Sequence, residues 1–227
     1  MADNVFGEPI TNATLEGMRE YACRREQIER IDRARVAMNM KNAAGKDAKA
    51  RARVEKFKAE SGAGIATLCL VYNATGSTLE YVGQKDWIGL MGKSPYPPLI
   101  ANGQWAAFLH VRVQWGSSAA VVYRGKNAGG TNCDWMLSWA NPEDRVKWDN
   151  RPSSFLYNAY VRVQVYTEIR KTNHFNNEAT WVEVNKLLCA TRSRFYHKDT
   201  WNGCVSMIST GSGIFPIVEG ILTLENV

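Results

Sequence analysis

The sequence predicts a mainly β fold, an antiparallel β-sandwich, with an α-helical arm at its N-terminus. Three observations predict it. Before Ser61-Gly62-Ala63-Gly64 the chain is rich in Ala, Arg, Lys, Glu and Met, all strong helix formers; after it the bias disappears. Beyond that joint, apolar and polar residues alternate with a period of two, as in strands with two unlike faces. Those runs are short and separated by Gly, Asn, Pro and Ser, and no strand–helix alternation indicates a parallel sheet. The joint divides the chain into a helical segment, 1–61, and a sandwich domain, 62–227.

In the helical segment, Leu15 to Met40 contains no Pro and Gly17 as its one Gly. Glu20–Arg24, Glu26–Arg30 and Glu29–Arg33 place acid before base four residues apart, the favourable order on a helix. Asn39 to Gly45 interrupts the pattern, and a second helix is predicted from Lys46 to Glu60. Its apolar stripe of Ala50, Val54 and Phe57 is narrow.

In the sandwich segment, Trp105, Ala107, Leu109, Val111, Val113 and Trp115 share one strand face, with His110, Arg112 and Gln114 on the other. Cys133, Trp135, Leu137 and Trp139 alternate with Asp134, Met136 and Ser138. Tyr157, Ala159, Val161, Val163, Val165 and Ile169 repeat the pattern. Further strands are predicted at Ile65–Asn73, Thr78–Val82, Ala119–Tyr123, Thr180–Leu188, Gly203–Ser209 and Ile217–Leu224.

Composition narrows the function. Over 227 residues, 45% hydrophobic and 11% aromatic content exclude a disordered chain and supply one sizeable core. The opening residues lack a signal-peptide pattern, and no run approaches the ~20 apolar residues of a membrane helix. Five widely spaced cysteines without Cys-x-x-Cys fit reduced thiols in the cytoplasm, with the nucleus as a second compartment. The net charge is +6, and residues 17–60 alone hold 13 Lys and Arg against 7 Asp and Glu. Acidic residues are interleaved through that basic stretch, which weighs against a nucleic-acid partner.

No hydrolase, zinc-protease, P-loop or dinucleotide-binding motif is present, so no catalytic residue, metal ligand or cofactor is assigned. Three histidines, His110, His174 and His197, lack metal-site spacing. Cys133 and Cys204 lie nearest polar turns, and as thiols they read as buried structural residues rather than nucleophiles.

The aromatic residues carry the positive reading. Trp87, Tyr96, Trp139 and Trp148 each sit beside turn residues, where a ring with a polar tip suits a wet boundary. They are the expected ligand-binding residues, for a lipid headgroup or a glycan. The alternative is an interaction or assembly protein, RNA- or translation-linked in one variant. In it the helical arm, through Val54 and Phe57, binds a partner or a second copy to give a homo-oligomer.

Longer strings carry a family resemblance. Residues 4–15 (Asn-Val-Phe-Gly-Glu-Pro-Ile-Thr-Asn-Ala-Thr-Leu) and 103–111 (Gly-Gln-Trp-Ala-Ala-Phe-Leu-His-Val) resemble the small jasmonate-induced stress proteins of plants. So do 116–127 (Gly-Ser-Ser-Ala-Ala-Val-Val-Tyr-Arg-Gly-Lys-Asn), Cys133-Asp134-Trp135-Met136 and 199–204 (Asp-Thr-Trp-Asn-Gly-Cys), so that the likeness spans nearly the whole chain. Arg151–Tyr160 departs from the pattern. The resemblance implies a non-enzymatic plant stress and defence protein. It also implies a more distant likeness to actinoporin-like and lectin-like β-sandwiches that bind membrane lipids through end loops.

Overall fold

Two β-sheets lie face to face, and each carries helices on its outer side. The computed structural model describes residues 4–23, 27–62, 65–112, 116–142, 163–190, 195–212 and 215–227. The first sheet runs β1 (Val5–Phe6), β6 (Trp105–Val111), β2 (Ala66–Ala74), β12 (Ile217–Leu224), β11 (Cys204–Thr210) and β10 (Tyr196–Trp201). A further short strand, β4 (Leu90–Met91), shares with β1 the free edge of β6. The second sheet runs β5 (Leu99–Ile100), β3 (Leu79–Ile88), β7 (Gly116–Lys126), β8 (Asn132–Pro142) and β9 (Gln164–Lys171). Among the described ladders β12–β2 alone is parallel, with Ile217 opposite Leu68 and Thr223 opposite Ala74.

The alternation read from the sequence explains the central core. Cys69, Phe108, Ile208 and Leu222 of the first sheet meet Tyr123, Trp135, Leu137, Trp139 and Ile169 of the second. Gly220 lets the layers close: a Cβ there would come 2.7 Å from a methyl of Leu137.

The opposite residues of each strand are buried as well, because helices cover both outer faces. α1 (Asn12–Glu16), α2 (Arg30–Asn39) and α3 (Lys46–Ser61) cover the first sheet, where Leu68, Leu70, Tyr72, Trp105, Ala107 and Leu109 pack against Leu15, Val36, Ala50 and Val54. The narrow stripe of α3 suffices because it lies directly on β2 and β6. At the C-terminal end of α2, Tyr72 donates to the Ala37 carbonyl at 2.6 Å, and just past it Trp105 Nε1 donates to the Lys41 carbonyl at 3.0 Å. Helix-end carbonyls, which lack partners within the helix, are thus satisfied by rings of the sheet.

Several expectations change. The helical arm packs on the first sheet as an outer layer: β1 joins that sheet, and the helices share its outer core. The first predicted helix is two helices, α1 and α2, and the second matches α3 closely. The predicted strand Thr180–Leu188 is a helix, α4 (Glu178–Ala190). Its Trp181, Val184 and Leu188 lie on one helical face and bury Ala120, Val122, Met136 and Tyr166 of the second sheet. Asn177 starts it, its side chain accepting from the Ala179 N–H at 2.9 Å. β10 was not foreseen, nor the three short edge strands.

Both open sides of the sandwich are closed by side chains. On one, His197 Nδ1 and Asp199 Oδ2 of β10 accept from the backbone N–H groups of Thr167 and Ile169 on β9, at 3.2 and 2.7 Å. On the other, Tyr96 fills the gap between the sheets, as described below. Edge strands that would invite pairing with another chain are thereby occupied.

Candidate functional site

The four expected ligand-binding aromatics do not form one exposed surface. Tyr96 is 5% exposed and Trp139 1% exposed. Tyr96 stacks on Tyr81 at 5.6 Å and meets the edge of Phe108 at 4.8 Å. Trp139 packs on Phe108 at 6.2 Å and on His110 at 5.5 Å. Tyr96 is held inward because Asn4 donates to Ser94 Oγ at 3.1 Å and to the Pro95 carbonyl at 2.7 Å, which draws its proline-rich segment across the open side. Both rings are therefore interior residues, not loop tips. Trp87 is half-buried on the outer face of the second sheet, edge-on to Trp181 of α4 at 6.1 Å. Trp148 lies outside the described residues.

The expected partner-binding pair is also occupied. Val54 is fully buried under α3, and Phe57 packs on the same core with the Arg53 guanidinium 4.3 Å over its ring. The face they share is covered by the chain's own first sheet.

Exposed apolar side chains gather elsewhere. Five large hydrophobic residues stand exposed among the described residues, and three lie at one end of the sandwich: Leu90 at 48%, Phe195 at 41% and Tyr196 at 54%. Register places them together at that end. Leu90 pairs with Val111, the last residue of β6, and Tyr196 pairs with Ser209 near the end of β11. β2 and β12 begin there, and β8 ends where β9 begins. Leu90 and Tyr196 occupy opposite edges of the first sheet, five strand spacings or about 24 Å apart. Between them Phe215 and Ile217 are part-buried, and Lys58 of α3 holds its ammonium 4.2 Å over the Phe215 ring. This end thus combines an apolar rim with a cation, which suits an interface between water and an apolar phase. Sequence reasoning missed it. The one signal was the adjacent pair Phe195-Tyr196 opening an alternating strand, flanked by Arg194 and Lys198, where neighbouring rings cannot both face the core.

Two clefts are lined by polar groups that pair with one another. A cleft of about 330 Å³ at the other end is lined by Arg33, Asn12, Asn102 and the turn at Gly76. Its guanidinium donates to the Gly76 carbonyl at 2.9 Å and to Asn12 Oδ1 at 2.6 Å. A cleft of about 180 Å³ beside α3 places Glu219 between Lys41 at 3.8 Å and Arg51 at 3.3 Å.

A polar chain inside the sandwich has the residue types of a serine hydrolase. Ser117 Oγ lies 2.8 Å from His110 Nδ1 and 2.7 Å from Thr67 Oγ1, and His110 Nε2 lies 3.3 Å from Asp86 Oδ1. Burial pushes the Asp86 carboxyl up, but bonds from His110 and Gln84 outweigh it and leave the group below the usual carboxylate range. Ser117 and His110 are fully buried, and the arrangement cross-links β2, β3, β6 and β7. Among the described residues, no group of three or more His, Cys, Asp or Glu is placed to hold a metal, and no helix is long and apolar enough to cross a membrane.

Comparison with known proteins agrees with the fold and with the resemblance seen in the sequence. The 23 kDa jasmonate-induced protein of Hordeum vulgare is 41% identical over 226 residues, covering 97% of this chain and 98% of that one. A jasmonate-induced protein homolog of Atriplex canescens is 35% identical over 71 residues, 31% of this chain and 38% of that one. The crystal structure of the lipid binding protein Nakanori superposes with a TM-score of 0.81 at 28% identity, over 96% of this chain and 98% of that one. The family model for Nakanori-like proteins matches residues 6–225, and the chain belongs to that family.

Proposed function

We propose that this chain is a non-enzymatic lipid-binding module of the jasmonate-induced stress response, seated on membranes by the end of the sandwich that carries Leu90, Phe195 and Tyr196. The observation that carries the reading is the gathering of three of the five exposed large hydrophobics at that end. The likeness to Nakanori, a lipid binding protein, over 96% of the chain supports it. Each such side chain, on leaving water, contributes about 1.5–3 kcal/mol. Three together reach about 4.5–9 kcal/mol before the cost of association, which corresponds to weak, reversible attachment. The rim carries Lys58 over the Phe215 ring, and in this reading apolar transfer supplies most of the attachment.

The test is co-sedimentation of the full chain with neutral phosphatidylcholine vesicles, with and without an anionic phospholipid. The expected result is binding that Leu90→Glu with Tyr196→Glu abolishes while the fold is retained. Binding unchanged by that double substitution, or the absence of binding to every vesicle together with binding on a glycan array, overturns the reading.

A further inference from the structure

At the end of the sandwich opposite the exposed rim, α2 carries two guanidiniums that pair with no carboxylate among the described residues. Arg30 and Arg33 are three residues apart, so they share one side of the helix, where like charges repel. Each is held instead by a neutral backbone oxygen: Arg30 donates to the Asn127 carbonyl, and Arg33 Nε donates to the Gly76 carbonyl at 2.9 Å. Asp32, between them in sequence, accepts from the Glu29 N–H at 3.0 Å and lies 3.5 Å from Arg35. Burial holds both arginines below the usual arginine range, and for Arg33 the charge of Asp32 offsets only part of that effect.

Arg33 also lines the cleft of about 330 Å³ between the residues before α1 and the turns at Gly76 and Asn102. Among the described residues, neither Asp nor Glu lines it. Arg33 Nη1 donates to Asn12 Oδ1 at 2.6 Å, so two of the five guanidinium N–H groups are spent on neutral acceptors and three are left. With its Oδ1 engaged, Asn12 keeps the donors on Nδ2, and Thr11, Ser77 and Thr78 add hydroxyls to the same lining. Asn102 holds the wall in place: it donates to the Ile10 and Arg33 carbonyls at 2.9 and 3.1 Å and accepts from the Gly76 N–H at 2.9 Å. The donors are therefore positioned before a ligand arrives.

We propose that this cleft binds a small soluble phosphate monoester with a hydroxyl-bearing body, Arg33 taking the phosphate and the Asn12 amide and the hydroxyls of Thr11, Ser77 and Thr78 taking the rest. Charge selects the phosphate. A carboxylate brings one negative charge, whereas a phosphate monoester carries about 1.5 to 2 near neutral pH, closer to what two unneutralised guanidiniums call for. Geometry agrees, because the planar guanidinium fork matches phosphate oxygens two at a time.

Size and place set the remaining terms. The cleft lies at the small end of the range of ligand pockets, room for one sugar-sized body and not for a polymer. Thr11, Asn12 and Thr78 are exposed, so the ligand enters directly from water without any element moving. β2 ends and β6 begins at this cleft, whereas Leu90 and Tyr196 stand at the other end of the same sheet. A chain seated on a membrane by its rim therefore turns this cleft towards the aqueous phase, and the ligand is a dissolved ester, not a lipid headgroup.

The test titrates the full chain, labelled with nitrogen-15, with inorganic phosphate, glucose 6-phosphate, glucose and acetate at constant ionic strength, followed by amide chemical shifts. The expected result is one saturable curve for glucose 6-phosphate at the amides of Asn12, Gly76, Ser77 and Thr78. Inorganic phosphate should follow the same curve more weakly, and acetate should bind about tenfold or more below phosphate, since it makes fewer charge-assisted bonds. Asn12→Asp should keep the bond from Arg33 and the thermal melt, yet lower affinity for glucose 6-phosphate about tenfold or more, because the new carboxylate supplies the charge that the cleft lacks. Phosphate shifts that fall outside the cleft, acetate binding as tightly as phosphate, glucose binding as tightly as its phosphate ester, or no saturable shift with either phosphate probe overturns the proposal. So does co-sedimentation with phosphatidic acid vesicles that Asn12→Asp abolishes while glucose 6-phosphate leaves the spectrum unchanged, which moves the site to a lipid headgroup. The shift map of the unaltered chain decides these outcomes even if the variant fails to fold.

Discussion

Lys46 Nζ donates to the Tyr72 hydroxyl at 3.1 Å, and that hydroxyl donates onward to the Ala37 carbonyl at 2.6 Å. With a third contact from Lys46 to the Gly103 carbonyl at 2.8 Å, one buried ammonium ties α3, β2, α2 and the turn before β6 together. Tyr72→Phe leaves the Ala37 carbonyl and one Lys46 donor unsatisfied in the core. The expected cost is about 1–3 kcal/mol, read as a lower urea midpoint at unchanged slope.

Lys46 also predicts a pH dependence. Burial pushes its pKa below the ordinary value of 10.5, with Asp47 opposing weakly. The charged form is thus favoured more in the unfolded chain. The penalty is full below the folded pKa and fades as pH rises from there towards 10.5. The stability difference between wild type and Lys46→Met should therefore shift in favour of wild type across that window, measured by urea titration from about pH 8 to the ordinary lysine value. A difference that stays constant over that range would show that Lys46 is not desolvated.

Asp86 predicts the opposite limb. Its carboxyl is raised by burial and lowered more strongly by the bonds from His110 and Gln84, so its folded pKa lies below the ordinary 3.8. The stability it contributes is complete above that ordinary value and is lost as pH falls through the folded one. Asp86→Asn should be less stable than wild type near about pH 5 and converge with it in strong acid, followed as Tm against pH.

Trp139→Ala should lose the fold before it loses any ligand. The ring is buried against Phe108 and His110, and removing it opens a cavity costing about 3–5 kcal/mol. Trp139→Phe should retain most of that stability. Near-UV circular dichroism with a thermal melt distinguishes this from a surface role, in which Trp139→Ala would melt like wild type.

Vesicle binding should be insensitive to salt. Raising sodium chloride from about 0.05 to 0.5 M shortens the Debye length from roughly 14 to 4 Å and screens charge attraction, yet leaves apolar transfer intact. Partition to neutral vesicles should change by less than about twofold, whereas Phe195→Ser should lower it about tenfold or more. A steep fall with salt would move the contact to the basic helices.

A chain beginning at residue 62 should not be a soluble sandwich. It would uncover Leu68, Leu70, Tyr72, Trp105 and Leu109 on the outer face of the first sheet, a patch far larger than monomers expose. Light scattering should report aggregates, and a monomeric, cooperatively melting fragment would show that the helices are an appendage.

The strands of the inner layer were legible because their period-two pattern is strong: Cys133, Trp135, Leu137 and Trp139 point inward as read. The helix α3 was legible from its formers and from Gly62, which ends it at a positive φ of 62°. The outer layers were not. Trp105, Leu109, Val122 and Met136 pack under helices, and nothing in a strand's own alternation says whether its second face meets water or a helix. α4 was misread because its Thr180, Val182 and Val184 are β-branched, while the helical spacing of Trp181, Val184 and Leu188 becomes visible once the sheet face they cover is known. Tyr96 and Trp139 were misread as loop tips for a related reason. Proximity to turn residues in sequence is shared by ring plugs such as Tyr96 and by surface rings such as Tyr196, and burial separates them.

The parallel pairing of β12 with β2 sets the order of events during synthesis. Ile217 to Thr223 fill the slot beside Leu68 to Ala74 in the middle of the first sheet, so that sheet stays split until the codons of β12 have been read and their product has cleared the exit tunnel. A nascent chain stalled short of Ile217 leaves two unpaired edges facing each other, a species for chaperones and proteases rather than a partly working protein. Closure of this sheet therefore waits on the ribosome.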